Sequence, residues 1–240
     1  MMTNDKQEMF ELNHFNDLVQ LIDLDNDEEF EDSPYTNIVN ECKYFEPHDF
    51  ACEGYESKTC TSFFHLNCRG LSTNWDNFYE LVNSLHNTEF TFDFIGISES
   101  FYCEYDTRLQ LPGYHELIKT YRDNDNRGGV ALFIKDSIHY NIRTDISVFI
   151  PNIFETIFVE YEDEKHTRSI IGIVYRPNTP PKADFDIFSA NMSDIMEIIN
   201  KEKKRAIIMG DMNVDLLKFR DNVTINSYLD LVFSNGFFYQ

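Results

Sequence analysis

The sequence predicts an α/β sandwich, and three observations point to it. From Ser62 onward, short apolar β-favouring runs alternate with stretches of helical periodicity. Two of the runs, "FETIFVEYED" and "RSIIGIVYRP", follow one another closely enough to form an antiparallel pair. The element order is therefore mixed, which favours a sandwich over a purely parallel doubly wound sheet. Residues 1–61 behave otherwise. They hold 16 acidic against 3 basic residues, including the block "DLDNDEEFEDSPY", and predict an acidic, mostly disordered N-terminal tail. The domain proper is expected over 62–240.

Each element has its own justification. "SFFHLN" reads as a first buried strand. "NWDNFYELVNSLHN" places Phe78, Leu81, Val82 and Leu85 on one helical stripe, with Asn74 at the N-cap. "FDFIGIS" is an apolar β-favouring run that ends at Glu99, and "GGVALFIK" is a strand that follows a Gly-Gly turn. The antiparallel pair comes next, its second strand stopped by Pro177. "ADFDIFSANMSDIMEIINKEKK" carries a stripe through Phe185, Phe188, Met192, Ile195 and Ile199, and its Lys-rich end suits the helix dipole. "RAIIMGD" reads as another buried strand, and "INSYLDLVFSNGF" as a last helix closed near Gly236.

Composition narrows the function. With 42% hydrophobic residues in 240, the chain can build a real core. No apolar run approaches the roughly 20 residues needed to span a bilayer, and the N-terminus is no signal peptide, so no membrane partner is expected. Five cysteines without a C-x-x-C pair read as reduced intracellular thiols. The net charge of −22 argues against a module that grips DNA through counterion release alone. It argues less against an enzyme that lets a divalent cation neutralise a phosphate.

Four buried strands end in polar residues that could face one rim: Asn67, Glu99, Tyr175, and Asp211 with Asn213. Singly, each is an ordinary turn or strand-end residue. Together they have the parts for metal-assisted phosphoryl chemistry, since side chains at i and i+2 of an extended segment, such as Asp211 and Asn213, point the same way. Carboxylates would hold a metal and orient water; amides and a phenol would hold phosphate oxygens.

The blocks "FFHLNCRGL", "FDFIGISESFY", "RGGVALFIK", "IIGIVYRPN", "IIMGDMNVDLL" and "YLDLVFSNGFFYQ", in this order, resemble the endonuclease/exonuclease/phosphatase superfamily. The resemblance is closest to the apurinic-endonuclease-like domain of non-LTR retrotransposon polyproteins, and it runs from about residue 62 to the end. It implies a four-layer α/β/β/α sandwich and a Mg²⁺-dependent (or Mn²⁺-dependent) endonuclease that nicks DNA, its transient substrate, for target-primed reverse transcription. Glu99 would be the principal metal ligand and Asn67 would sit beside metal and scissile phosphate. Tyr175 would hydrogen-bond the phosphate, Asp211 would position and activate water, and Asn213 would hold a phosphate oxygen or support the metal. Asp215 is read as structural or solvated.

Two departures accompany the resemblance. Arg69 stands where repair-type relatives carry an acid, which fits the retrotransposon branch. The family's terminal Ser-Asp-His block and the Thr-rich strand before it do not appear by Gln240, so the domain is expected to be C-terminally truncated and missing its last strands. The alternatives are a catalytically inactive relic of that domain and a phosphatase of the same superfamily. A working element would act in the nucleus, and loops 101–128 and 176–184 are the expected determinants of target preference.

Overall fold

Apolar runs buried on both sides become the strands of two sheets, and their register sets which residues reach the rim. The computed structural model describes residues 61–87, 90–101, 109–120, 127–163, 166–178, 182–218 and 222–237. The tail expected over 1–61 lies outside the described residues except for Thr61, as do Cys42, Cys52, Cys60, Cys103 and parts of both suspected target loops.

The first sheet runs in the order β1 (Phe63–Asn67), β2 (Phe94–Ser98), β4 (Val130–Ile134), β3 (Ile118–Lys119). β1 and β2 are parallel, joined through helix α1 (Trp75–His86), while β4 is antiparallel to both β2 and β3. The second sheet runs β5 (Tyr140–Ile142), β7 (Phe154–Glu162), β8 (Arg168–Tyr175), β9 (Arg205–Asp211), with β6 (Phe149–Ile150) also on β7. β7 and β8 form the expected antiparallel pair, from Glu155↔Tyr175 to Glu162↔Arg168. β8 and β9 are parallel, joined through α2 (Lys182–Lys201), and α3 (Val223–Ser234) follows β9.

Alternation along β2 explains the layers. Ile95 and Ile97 pack with Phe78 and Val82 of α1, whereas Phe94 points the other way, into a cluster with Ile157, Val159, Ile171 and Ile173 of the second sheet. The sheets come close at Gly96, where an added Cβ would lie 2.3 Å from Ile173 Cδ1. α2 covers the far side of the second sheet through an edge-to-face contact of Phe188 with Phe154 at 5.5 Å, and Tyr228 of α3 packs on Phe188. This is the predicted α/β/β/α order. β2, β4, β7 and β8 are buried on both faces, which is why they read as continuous apolar runs.

The structure adds to the expectations and corrects some. β3, β5 and β6 are two or three residues long, too short to carry a readable period. Asn74 is the N-cap of α1, but its side chain makes no capping bond; Nδ2 turns back to donate to Cys68 O (2.8 Å) and Gly70 O (3.2 Å). Leu81 is only half-buried, leaving Phe78, Val82 and Leu85 as the buried stripe. β9, expected to be buried, is an edge among the described strands, and Ile207 is 43% exposed. α3 closes as predicted near Gly236. The left-handed glycine (φ 72°) lets Gly236 N–H donate to Phe233 O and Phe237 N–H to Val232 O, a Schellman closure.

At the end of the second sheet away from the rim, Arg143 donates to Asp145 and Glu202, each at 2.7 Å, and reaches Glu160 at 3.4 Å. Lys204 joins the same Glu160 and Glu202. The Arg143 hydrogen bonds hold both the Asp145 and Glu202 carboxyls below their ordinary range. A depressed carboxylate stabilises the fold above its unfolded value, about 3.9 for Asp and 4.3 for Glu, and that stabilisation is lost as pH falls through the folded value. Both carboxylates are partly exposed, so screening keeps the effect modest. Urea unfolding should therefore find wild type more stable than Arg143→Met at neutral pH, with the gap narrowing below about pH 4. A gap unchanged in acid would assign the role of Arg143 to packing instead.

Candidate active site

β1, β2, β8 and β9 all end at one rim. Asn67 is in register with Ser98, and Tyr175 with Asp211, so the four C-terminal strand ends stand together. β2 stops at Ser98 because Glu99 turns the backbone left-handed, with φ 51°. Loops on both sides hold that turn: Gly70 N–H donates to Glu99 O (2.8 Å) and Leu71 N–H to Ser100 O (2.9 Å). Ser100 and Phe101 N–H donate to Gly129 O (3.2 Å) and Gly128 O (2.9 Å).

The turn delivers the Glu99 carboxylate to Asn67. Asn67 Nδ2 donates to Glu99 Oε1 at 2.9 Å and to Asp211 Oδ2 at 2.7 Å. One amide nitrogen thus ties two carboxylates that lie 32 and 144 residues away in the chain. Asn67 Oδ1 accepts the Arg69 N–H at 3.3 Å, and Arg69 is exposed at the rim with φ 44°. Tyr175 is 7% exposed, stands opposite Glu155 and Asp211 in register, and packs into the layer between the sheets.

Asp211 and Asn213 meet differently from the i, i+2 expectation. β9 ends at Asp211, and Asn213 adopts φ 48° in the loop beyond it. The extended geometry that would aim both side chains one way is gone. Instead the Asn213 backbone N–H donates to Asp211 Oδ1 at 3.1 Å, while its side-chain Nδ2 donates to Arg176 O at 2.8 Å. Asp215 pairs with Lys218 at 2.7 Å on the surface, in keeping with its reading as solvated.

The structure brings in residues that sequence reasoning passed over. His65 shares a strand with Asn67 and points to the same side, two positions earlier. Its Nε2 is buried without a hydrogen-bond partner among the described residues. Burial lowers its pKa, against the opposing field of Asp211, so the neutral imidazole is favoured. Cys68, beside Asn67, is a free buried thiol whose pKa burial pushes up to about 11, which leaves it unreactive at neutral pH. Arg176 is 7% exposed and anchors the Asp211–Asn213 loop from behind. The "YRP" text carried no mark of this, because an arginine before a proline is ordinarily a surface residue.

As a donor set, the rim offers two carboxylates and an amide. Among the described residues no group of three or more His, Cys, Asp or Glu could hold a metal. Two convergent carboxylates suit a hard ion such as Mg²⁺, which binds through one or two of them and keeps several waters.

A family model described as the Endonuclease/Exonuclease/phosphatase family matches residues 64–239. No curated protein matches the chain. Among solved structures, the Xenopus laevis APE2 catalytic domain is 16% identical with a TM-score of 0.50. The alignment covers 71% of this chain and 66% of that one, so this chain spans just under two thirds of it. A Neisseria 3′ phosphatase, NExo, bound to product DNA hairpin is 12% identical, covering 73% and 71%, with a TM-score of 0.49. A Bacteroides thetaiotaomicron protein of the matching family is 16% identical, covering 70% and 65%, with a TM-score of 0.47. The first of these likenesses reports a shared fold.

Proposed function

We propose, from the premise that this chain belongs to the Endonuclease/Exonuclease/phosphatase family, that it is a divalent-metal-dependent phosphodiesterase nicking one strand of DNA. Members of the family generally use divalent metal ions. The observation that carries the reading is the convergence of the Glu99 and Asp211 carboxylates on a single Asn67 amide at the rim of both sheets. The finer reading is the nick that primes reverse transcription in a non-LTR retrotransposon. It rests on the Arg127–Lys135 block and on Arg69 in place of an acid.

The reaction adds the oxygen of water to phosphorus and breaks the P–O3′ bond; the 3′ oxygen leaves with the bonding pair and takes a proton from solvent to become the 3′ hydroxyl, and the phosphate stays on the 5′ oxygen. Glu99 would hold the metal with Asn67 beside it, and a bound Mg²⁺ would supply charge neutralisation at the phosphate. Asp211 would orient the attacking water and take its proton. Its carboxylate is aimed from two sides, by Asn67 Nδ2 on one oxygen and the Asn213 N–H on the other. Tyr175 would hydrogen-bond a phosphate oxygen through its phenol O–H, with Asn213 supporting the loop that shapes the phosphate site.

Supercoiled plasmid incubated with the 240-residue chain, with Mg²⁺ or with EDTA, tests the proposal. Mg²⁺-dependent conversion to the open circle, with ends that a polymerase extends, is the expected result. A folded chain that leaves plasmid intact but releases phosphate from a 3′-phosphate end would replace the endonuclease reading with the phosphatase one.

A further inference from the structure

We infer that Arg176 is a positioning residue that locks the loop Asp211–Met212–Asn213 and so sets the orientation of the Asp211 carboxylate; its catalytic consequence rests on the role proposed for Asp211. The guanidinium is buried, yet among the described residues it pairs with no carboxylate. Nε donates to Met212 O at 2.7 Å and an Nη to Asn213 O at 2.5 Å. The same residue's backbone completes the clamp, its N–H donating to Asp211 O at 2.9 Å and its carbonyl accepting Asn213 Nδ2 at 2.8 Å. Four hydrogen bonds therefore join one residue to a three-residue loop.

A buried cation is expensive unless its donors and charge are well matched. Here the match on one side is aromatic: the guanidinium carbon lies 5.1 Å from the Phe185 ring centroid and 5.6 Å from that of Phe188. Tyr228 of α3 adds a contact to the same loop, its hydroxyl reaching Met212 Sδ at 3.4 Å. What the clamp holds in place is a left-handed backbone, φ 48° at position 213, a region that asparagine tolerates better than other non-glycine residues. That conformation presents the Asn213 N–H to Asp211 Oδ1. Lysine could keep the charge over the rings, but its single nitrogen lacks the planar fork that reaches two successive carbonyls.

The test compares wild type with Arg176→Lys by plasmid nicking and by amide hydrogen exchange. Nicking should fall at least about tenfold in kcat with little change in KM. Exchange across 211–214 should quicken by about tenfold while β7 and α2 keep their protection. Should Arg176→Lys fail to fold, Phe185→Leu, which thins the aromatic support at a half-buried position, decides by the same exchange readout with a smaller expected rise. Unchanged exchange at 211–214, or a uniform rise across β7, α2 and the loop, overturns the inference. If wild type itself does not nick, the proposed function fails, and the exchange experiment still decides the clamp.

Discussion

Asp211→Asn is expected to cut Mg²⁺-dependent nicking by about 10³-fold while leaving the fold intact. The substitution is nearly isosteric, and it leaves untouched two backbone contributions of position 211 to the fold: the Arg176 N–H bond to its carbonyl and its pairing beside Tyr175. Neither changes when the carboxylate becomes an amide. What changes is the meeting with Asn67. Asp211 Oδ2 accepts from Asn67 Nδ2 while Oδ1 accepts from Asn213 N–H, so both oxygens are in use as acceptors. An amide supplies one oxygen. If it stays with Asn213, two NH₂ groups face each other; if it flips to Asn67, the Asn213 N–H loses its acceptor. In either arrangement the group able to take a proton from water is gone. Initial nicking rates beside a thermal melt make the measurement. A variant that melts near wild type and nicks at a comparable rate would remove Asp211 from the chemistry.

Much of this arrangement was legible in the sequence, and the limits of what was legible are physical. β2, β4, β7 and β8 are buried on both faces, so they read as apolar runs, and their polar C-terminal ends stood out against that background. Among the candidate residues this applies to Glu99 and Tyr175, which close β2 and β8. Asn67 and Asp211 end β1 and β9, which are only partly buried, and stood out by the apolar character of those runs alone. The convergence of Asn67, Glu99 and Asp211 could not be read from local pattern. It depends on the left-handed backbone at Glu99 and on contacts between residues 32 and 144 positions apart. Asn213 failed its i, i+2 expectation because β9 ends at Asp211 and Asn213 turns left-handed, φ 48°, in the loop beyond it. Arg176 left no trace since its partners are backbone carbonyls, which every residue has. β9 was misread as buried because sequence carries the apolar character of a strand and not its place in the sheet.

The largest expected loss of stability comes from a position next to the site that takes no part in the chemistry. Gly210→Ala should destabilise the domain by about 4 kcal/mol or more, in the tail of single-substitution effects where backbone strain and overpacking combine. Gly210 has φ 147°, a region that L side chains rarely adopt, and an added Cβ would lie 1.8 Å from Val174 O and 2.7 Å from Val174 C. Both atoms are backbone of the paired strand, where Val174 is its register partner, so no rotamer change can relieve the clash. Either β9 moves away from β8, or the pairing next to Tyr175↔Asp211 breaks. Against a typical total of about 5–15 kcal/mol, such a loss leaves little margin. Gly113→Ala is the matched control. Gly113 also has a positive φ, 82°, but an added Cβ meets nothing within 4 Å, so that variant should lose only the roughly 1–2 kcal/mol of a left-handed alanine. Urea unfolding followed by the fluorescence of Trp75, the single tryptophan, reads both on α1, far along the chain from either site. A much lower midpoint for Gly210→Ala than for Gly113→Ala would show that close approach of β8 and β9, more than glycine's backbone freedom, holds Asp211 at the rim. Equal midpoints would mean that β9 can shift at little cost, and the carboxylate would then owe its place to Asn67 and the Arg176 clamp instead.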